Sequence, residues 1–483
     1  MKMLVIGMDG VCLETFDRGW TPFIKSLLDK GQKLELKEDL ISRGWSEIVT
    51  GKHALDTGGL YEGPTAKGGL DWTEAFKISD VPGLGKQVKP LWQVLNEKGY
   101  KVGIMNVPTT FPAPEVDGFL VSGGGGGGPI SQDVSPVQCH PSALAARLRD
   151  MGYILDERRP TLLDEKGLYA PADFFARLRQ KNEKRTQAFI QLSSEFEVDF
   201  GFVVYRSSTV TTETMLVSEL EKLSLGRGGV NQDYIKQSEV FYRELDGNVR
   251  ALVETYNEAE VLLVSDHSMV TNRYSVNANA FLIEKGYQTN DKSRRGILDI
   301  IKAYKHFVPY SLKEKLKKSK KIKNAYQSMV PFNPKKTQAF SQSFSSGQHG
   351  IYINDEVRFG GPVKSDEIKK IAEGIVRHFN AHPLALQHGL TAKIKPQSSS
   401  PVAYKFPDII LDCPDGYFTN NKFKDFIVKT DIPEEALDLR DIKKGVRTVV
   451  KGHIPLAVNV NNEWSSKDGT DLTLIYQHIV SKF

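Results

Sequence analysis

The chain has 483 residues, 40% of them hydrophobic and 25% charged, with a formal net charge of +5. This is an ordinary globular composition. It allows one large α/β domain with insertions, and so small a charge gives no footing for a polyanionic partner. Cys12, Cys139 and Cys413 lack metal-type spacing and are too few for a disulfide scaffold, and the N-terminal apolar run is too short for a signal peptide. No window approaches the ~18 apolar residues of a membrane span, so a cytoplasmic protein is expected.

Met3 to Gly10 is a short apolar run closed by Asp9-Gly10. It predicts a strand buried on both faces, with Asp9 delivered to the carboxyl edge of a sheet, where functional groups gather. The plainer alternative is an Asp that only turns the chain. Pro22 to Gly31 has helical spacing with a glycine stop, and Lys33 to Leu40 alternates weakly, as a strand would. Ser42 reads as the N-cap of a short helix ending at Gly51. Leu91 to Gly99 predicts a helix, Tyr100 to Val107 a buried strand and Pro108 to Pro112 a loop. That alternation signals a parallel sheet. The glycine run Gly123 to Gly128 lacks the Lys-Ser/Thr of a phosphate-binding loop and reads as a flexible loop beside the cleft.

Residues 132–197 read as a helical, charged cap insertion. Phe200 to Tyr205 is a further strand. A helix from Asp233 to Tyr256 leads into the strand Val261 to Val264, which ends in Ser265-Asp266-His267-Ser268. Residues 272–339 form an expected second insertion. Its basic stretch 302–323 is only mildly amphipathic and reads as a solvated face, so no nucleic-acid partner is assigned. Strands are expected at Ile351 to Asn354 and Phe406 to Leu411, and a helix from Asp471. Asp9, Asp266 and His267 thus meet at one sheet edge and suit a divalent metal. Ser42, at a helix start, is the hydroxyl that such a site could activate.

In this order and spacing the motifs resemble the alkaline phosphatase superfamily, in its type I phosphodiesterase/nucleotide pyrophosphatase branch. The resemblance rests on Gly7-Met8-Asp9-Gly10, Trp45 to Lys52, Leu91 to Pro112, Ser265 to Met269, Gly350 to Asn354, Pro407-Asp408 and Gly452 to Pro455. It implies a central mixed, mostly parallel sheet flanked by helices on both faces, spanning residues 1–483 as one domain with cap insertions. It also implies hydrolysis of phosphate esters, probed best with phosphodiester or nucleotide-like substrates, through a covalent phospho-enzyme. The implied metal residues are Asp9, Asp266, His267 and His453, the cofactor Zn or Mn as one or two ions, and the partner a small phosphorylated substrate.

The departures are specific. Counting back from Gly51 puts the nucleophile at Ser42, with Ser46 second. Arg43 and Gly44 stand where prolines are usual, and Thr57-Gly58 where a His-Gly is usual. The second metal site lacks its Asp and His: Ser208 and Thr212 stand there, Glu213 reaches it only after a shift, and His453 alone remains. Hydroxyls are poor ligands beside carboxylate and imidazole. Arg43 or Arg206 would then neutralise phosphoryl charge. His349 precedes the Gly-Ile-Tyr-Ile-Asn landmark and is left out of the metal set. The alternative function is an impaired member that binds a phosphorylated ligand or a partner protein. A sulfatase is disfavoured, since the Cys-x-Pro-x-Arg pattern is absent.

Overall fold

The structure is a computed structural model and describes residues 1–60, 88–123, 133–156, 171–289, 332–341, 350–419, 425–430, 434–437 and 447–483, with Glu213 described by its backbone only. The glycine run beyond Gly123, the basic stretch 302–323 and His349 lie outside the described residues. Two compact units are present. Over its described residues, the first comprises Met1–Gly59, Lys77–Arg273 and Thr430–Phe483, and the second Leu60–Phe76 and Tyr274–Lys429.

The strands of the first unit are β1 (Met3–Met8), β2 (Gln32–Lys33), β3 (Val102–Met105), β4 (Gly118–Val121), β5 (Cys139–His140), β6 (Phe200–Tyr205), β7 (Glu260–Val264), β8 (Ser268–Thr271), β9 (Val449–Gly452) and β10 (Ala457–Asn459). Eight of them form one sheet in the order β2-β10-β7-β1-β6-β3-β4-β5. Pairings within β7-β1-β6-β3-β4 are parallel, and the outer pairs with β5, β10 and β2 are antiparallel. β8 and β9 form a separate antiparallel pair. The principal helices are α1 (Pro22–Lys30), α2 (Gly44–Thr50), α3 (Leu91–Glu97), α4 (Pro171–Glu195), α5 (Ser207–Thr211), α6 (Gln232–Thr255) and α7 (Thr473–Lys482).

β1 is central and every residue of it is buried. Leu4, Ile6 and Met8 alternate onto one face, where they share a core with Leu27 and Leu28 of α1, Phe175 and Leu192 of α4 and Phe241 of α6. Each such side chain contributes roughly 1.5–3 kcal/mol by leaving water. On the other face Trp45 of α2 packs on Phe202 at 6.1 Å between ring centroids, and Phe483, just beyond α7, on Phe200 at 5.9 Å. Helices therefore cover both faces, as an apolar parallel strand requires. This is the mixed, mostly parallel sheet flanked by helices that the sequence predicts. Of the segment read as a cap, Pro171–Glu195 is one helix whose Phe174, Leu178 and Phe189 belong to the same core.

Two local expectations are corrected. The strand expected over Lys33 to Leu40 is confined to Gln32–Lys33. Beyond it the amides bond singly, Leu34 to the Ala457 carbonyl, Lys37 to that of Thr470 and Glu38 to that of His453, so no ladder forms. Ser42 is not the N-cap of α2: the helix starts at Gly44 with Arg43 as its cap residue and no side-chain cap bond. The Ser42 hydroxyl turns back to Asp39 instead, with Oγ 3.2 Å from Oδ2.

In the second unit a four-stranded antiparallel sheet joins Ala339–Phe340, Gly350–Ile353, Ile409–Asp412 and Thr391–Ile394. The Asp408 carboxylate fastens it, accepting from the Ile353 amide at 2.8 Å and Arg358 Nη2 at 2.6 Å, with Lys395 Nζ 3.2 Å away. The Pro407-Asp408 landmark is thus structural.

Candidate metal centre

The carboxyl ends of β1 and β7 lie side by side, with Gly7 opposite Val264. The residues that follow, Asp9 from β1 and Asp266-His267 from β7, are delivered to one place. Ligand atoms of Asp9, Asp266 and His267 all lie within 4.8 Å of one another, and all three residues are buried. Gly10 makes the approach possible. It has φ +60°, and a Cβ there would lie 2.2 Å from Thr209 Oγ1 and 3.1 Å from His267 Cε1.

The electrostatics are those of a cation site. Burial first, then the Asp9 charge, push the Asp266 carboxyl up to about 7, with His267 opposing. Asp266 Oδ1 is buried with no hydrogen-bond partner, which is costly in a closed fold. His267 Nδ1 lies 2.8 Å from the Ser268 carbonyl. That bond fixes the proton on Nδ1 and turns the Nε2 lone pair to the cluster. Trp45 Nε1 donates to Asp9 Oδ2 at 2.8 Å, and Thr209 Oγ1 donates to Asp9 Oδ1. Two carboxylates and an imidazole held this way can bind a divalent metal.

The family model for type I phosphodiesterase / nucleotide pyrophosphatase matches residues 3–426. The chain belongs to this family. No curated protein sequence matches it. Among solved structures it is similar to phosphonoacetate hydrolase from Sinorhizobium meliloti 1021, in complexes with phosphonoacetate (TM-score 0.54) and phosphonoformate (TM-score 0.51), each at 12% identity over 100% of this chain and 95% of that one. It is also similar to murine ectonucleotide pyrophosphatase / phosphodiesterase 5, at 12% identity and TM-score 0.42 over 100% and 95% of the two chains. At such identity the phosphonoacetate hydrolase likeness speaks for the fold.

After β6, at the positions where a second pair of metal ligands is expected from the sequence, the hydroxyls are engaged with main-chain carbonyls. Ser208 Oγ donates to the Asp9 carbonyl at 2.6 Å, and Thr212 Oγ1 lies 2.8 Å from the Ser208 carbonyl and 3.0 Å from the Gly10 carbonyl. They tie the β1 turn to the helix after β6. The Glu213 side chain lies outside the described residues. His453 stands outside the three-residue group, with Nδ1 2.7 Å from the Glu38 carbonyl.

Ser42 sits two residues ahead of α2, whose start is pressed on the metal loop. A Cβ at Gly44 would fall 2.8 Å from the Asp266 carbonyl oxygen. Ser42 is buried, and its Oγ lies 3.3 Å from His53 Nε2 as well as 3.2 Å from Asp39. Ser46, the second choice, donates its hydroxyl to the Arg43 carbonyl inside the helix turn. Arg43 is buried at the helix start. Arg206 is committed to Asp156, with Nε and Nη2 at 2.9 and 2.7 Å from its Oδ2, while Lys181 Nζ holds Oδ1 at 2.9 Å.

Sequence reasoning missed the ionisable groups around Ser42. Burial and the charges of Glu47 and Asp39 raise Glu38 well above the usual carboxylate range. Burial and Asp39 raise Glu47 to about 8, with His53 opposing. Burial would raise Asp39 too, but the His53 N–H and charge and the Ser42 amide hold it well below the usual range. Lys451 is pushed down to about 7 by burial, with Asp9 and Glu38 resisting. One signal was available: Glu47 lies inside a helix whose other residues, from Gly44 to Thr50, are all buried, and a carboxyl there needs a purpose.

Proposed function

We propose that this chain is a metal-dependent hydrolase of phosphodiester or nucleotide-like substrates, with Ser42 as the nucleophile and a single complete metal site. The observation that carries the reading is the buried group Asp9, Asp266 and His267, whose two carboxylates repel and one of whose Asp266 oxygens lacks any hydrogen bond, in a chain of this family. A divalent cation, Zn or Mn, held by these residues would neutralise charge on a phosphoryl oxygen. Arg43 is assigned to a second phosphoryl oxygen, and Arg206 to holding Asp156. His453, next to Gly452, which pairs with Ser268, is the remaining candidate ligand. The three buried, unpaired cysteines favour a reducing compartment. Among the described residues no helix is long and apolar enough to cross a membrane.

Ser42→Ala is expected to abolish turnover of bis(p-nitrophenyl) phosphate by the metal-loaded protein while leaving thermal stability and metal content unchanged. Undiminished turnover refutes the assignment. A second reading, ligand binding without hydrolysis, is favoured by the engagement of Ser208 and Thr212 with main-chain carbonyls. Elemental analysis separates the two: one ion per chain supports the hydrolase, and none supports the binding protein.

A further inference from the structure

Ser42 lies in a closed set of groups that the metal cluster does not account for. Asp39 Oδ1 accepts the amides of Ile41 and Ser42, each at 2.8 Å. Its Oδ2 accepts the Ser42 hydroxyl at 3.2 Å and His53 Nε2 at 2.9 Å. His53 comes from the turn after α2, where the Leu55 amide donates to its Nδ1 at 3.1 Å. That amide needs a lone pair on Nδ1, so the ring proton belongs on Nε2, facing Asp39. Glu47 Oε1 is 3.7 Å from the same nitrogen. Between Asp39 and Ser42 the backbone passes through Leu40 at φ +59°, a left-handed conformation that residues with a Cβ adopt at a cost. The two amide bonds to Asp39 offset that cost. Such strain persists where surrounding structure over-determines it, often at functional sites.

We propose that Asp39 is the group that orients the Ser42 hydroxyl and takes its proton, and that His53 is the positioning residue that holds Asp39. The proposal rests on Ser42 being the nucleophile. Four donors converge on the carboxylate and keep it an ionised hydrogen-bond acceptor, a weak base that takes the hydroxyl proton only as the Oγ–P bond forms. Its Oδ2 fixes the direction of the O–H bond and so leaves an Oγ lone pair for phosphorus. In the first step the Oγ–P bond forms, the bond from phosphorus to the leaving oxygen breaks, and the hydroxyl proton passes to Asp39 Oδ2. The leaving oxygen takes a proton from water. In the second step water attacks phosphorus and releases one proton to solvent. The P–Oγ bond then breaks, and Asp39 returns its proton to Ser42. His53 serves in both steps by donating to whichever charge Oδ2 carries. This arrangement gives the nucleophile a proton acceptor of its own where the second set of metal ligands is replaced by hydroxyls.

The test is covalent labelling of Ser42 by a fluorophosphonate, read by mass spectrometry on the intact full-length chain, alongside single-turnover hydrolysis of bis(p-nitrophenyl) phosphate. Asp39→Asn is expected to slow labelling about 10²–10⁴-fold, with KM, metal content and melting temperature near wild type. His53→Ala should slow it less. His53→Gln, whose amide N–H can still donate to Asp39, should recover part of that loss. Equal labelling of Asp39→Asn and wild type overturns the proposal and leaves the Ser42 reading standing. Absence of label on Ser42 in the wild type overturns the Ser42 reading, and the proposal with it. A loss in Asp39→Asn matched by loss of melting temperature, or His53→Gln no better than His53→Ala, reduces the pair to a structural role.

Discussion

Glu47→Gln probes the carboxyl that the fold buries inside α2. Glu47 is 2% exposed. Its nearest charges are Asp39, which raises its pKa, and His53, which opposes, and the balance with burial puts it near 8 rather than 4.5. In the unfolded chain the group ionises near the ordinary value. Between the two, the folded state holds a proton that the unfolded state has released, so stability falls as pH rises through that window. The contribution is complete below about 4.5 and gone above about 8. At about 1.4 kcal/mol per pH unit the window is worth at most on the order of 5 kcal/mol. Sharing of the proton with Glu38 and His53 reduces this to a few. Gln keeps the shape and does not titrate. The mutant should match wild type near pH 5 and exceed it increasingly up to about pH 8.5, by roughly 2–5 °C in melting temperature at about 1–2 °C per kcal/mol for a chain of this size. Melting curves of both proteins from pH 5 to 9 measure the gap. A gap that stays constant, or shrinks as pH rises, refutes the argument that Glu47 is held protonated.

Two further predictions concern the metal loop. Trp45→Phe keeps the packing on Phe202 but removes the N–H that reaches Asp9 Oδ2 at 2.8 Å. Zinc affinity by titration calorimetry should drop about 10–100-fold, and unchanged affinity would detach Trp45 from the site. Gly44→Ala would put a methyl 2.6 Å from Leu472 Cδ1 and 2.8 Å from the Asp266 carbonyl oxygen. Urea unfolding should show a loss of about 1–3 kcal/mol together with reduced metal content, and a neutral result would mean that α2 can shift without disturbing Asp266.

Asp9, Asp266 and His267 are legible in the sequence because each depends on a local pattern. An apolar run long enough for one strand ends in a polar group, and parallel pairing of β1 with β7 does the rest. The sheet and its covering helices are legible for the same reason. The strand over Lys33 to Leu40 is misread because weak alternation says nothing about a partner, and here the partners are scattered carbonyls. Ser42 as a cap follows the general preference for Ser at helix starts. That preference loses to Asp39, three residues earlier, because the Leu40 turn brings the carboxylate under the Ser42 hydroxyl. A sequence shows Asp39 and His53 as two ordinary polar residues fourteen positions apart. Their meeting depends on the length of α2 and the turn after Gly51, neither of which has a composition signature. Arg206 is attractive from its place beside Ser208 and Thr212, where a second pair of ligands is expected from the sequence, but its partner Asp156 lies fifty residues away, and such pairings leave no local trace.

On the single-metal reading, the hydroxyls after β6 alter more than the ligand count. An Asp and a His at those positions would add negative charge beside Asp9, which a second cation would have to offset. Ser208, Thr209 and Thr212 instead contribute donors, two to main-chain carbonyls of the β1 turn and one to the Asp9 carboxylate itself. With Trp45 on the other oxygen, both oxygens of Asp9 already have hydrogen-bond donors. The burden falls on Asp266, which has the raised pKa and the oxygen without a hydrogen bond. On the single-metal reading, the cation is therefore bound chiefly through what it relieves at Asp266, while Asp9 fixes its position. Loss of the Asp266 charge should then cost more affinity than loss of any one donor to Asp9, and the ranking of Asp266→Asn below Trp45→Phe in zinc titration is the measurement that decides it.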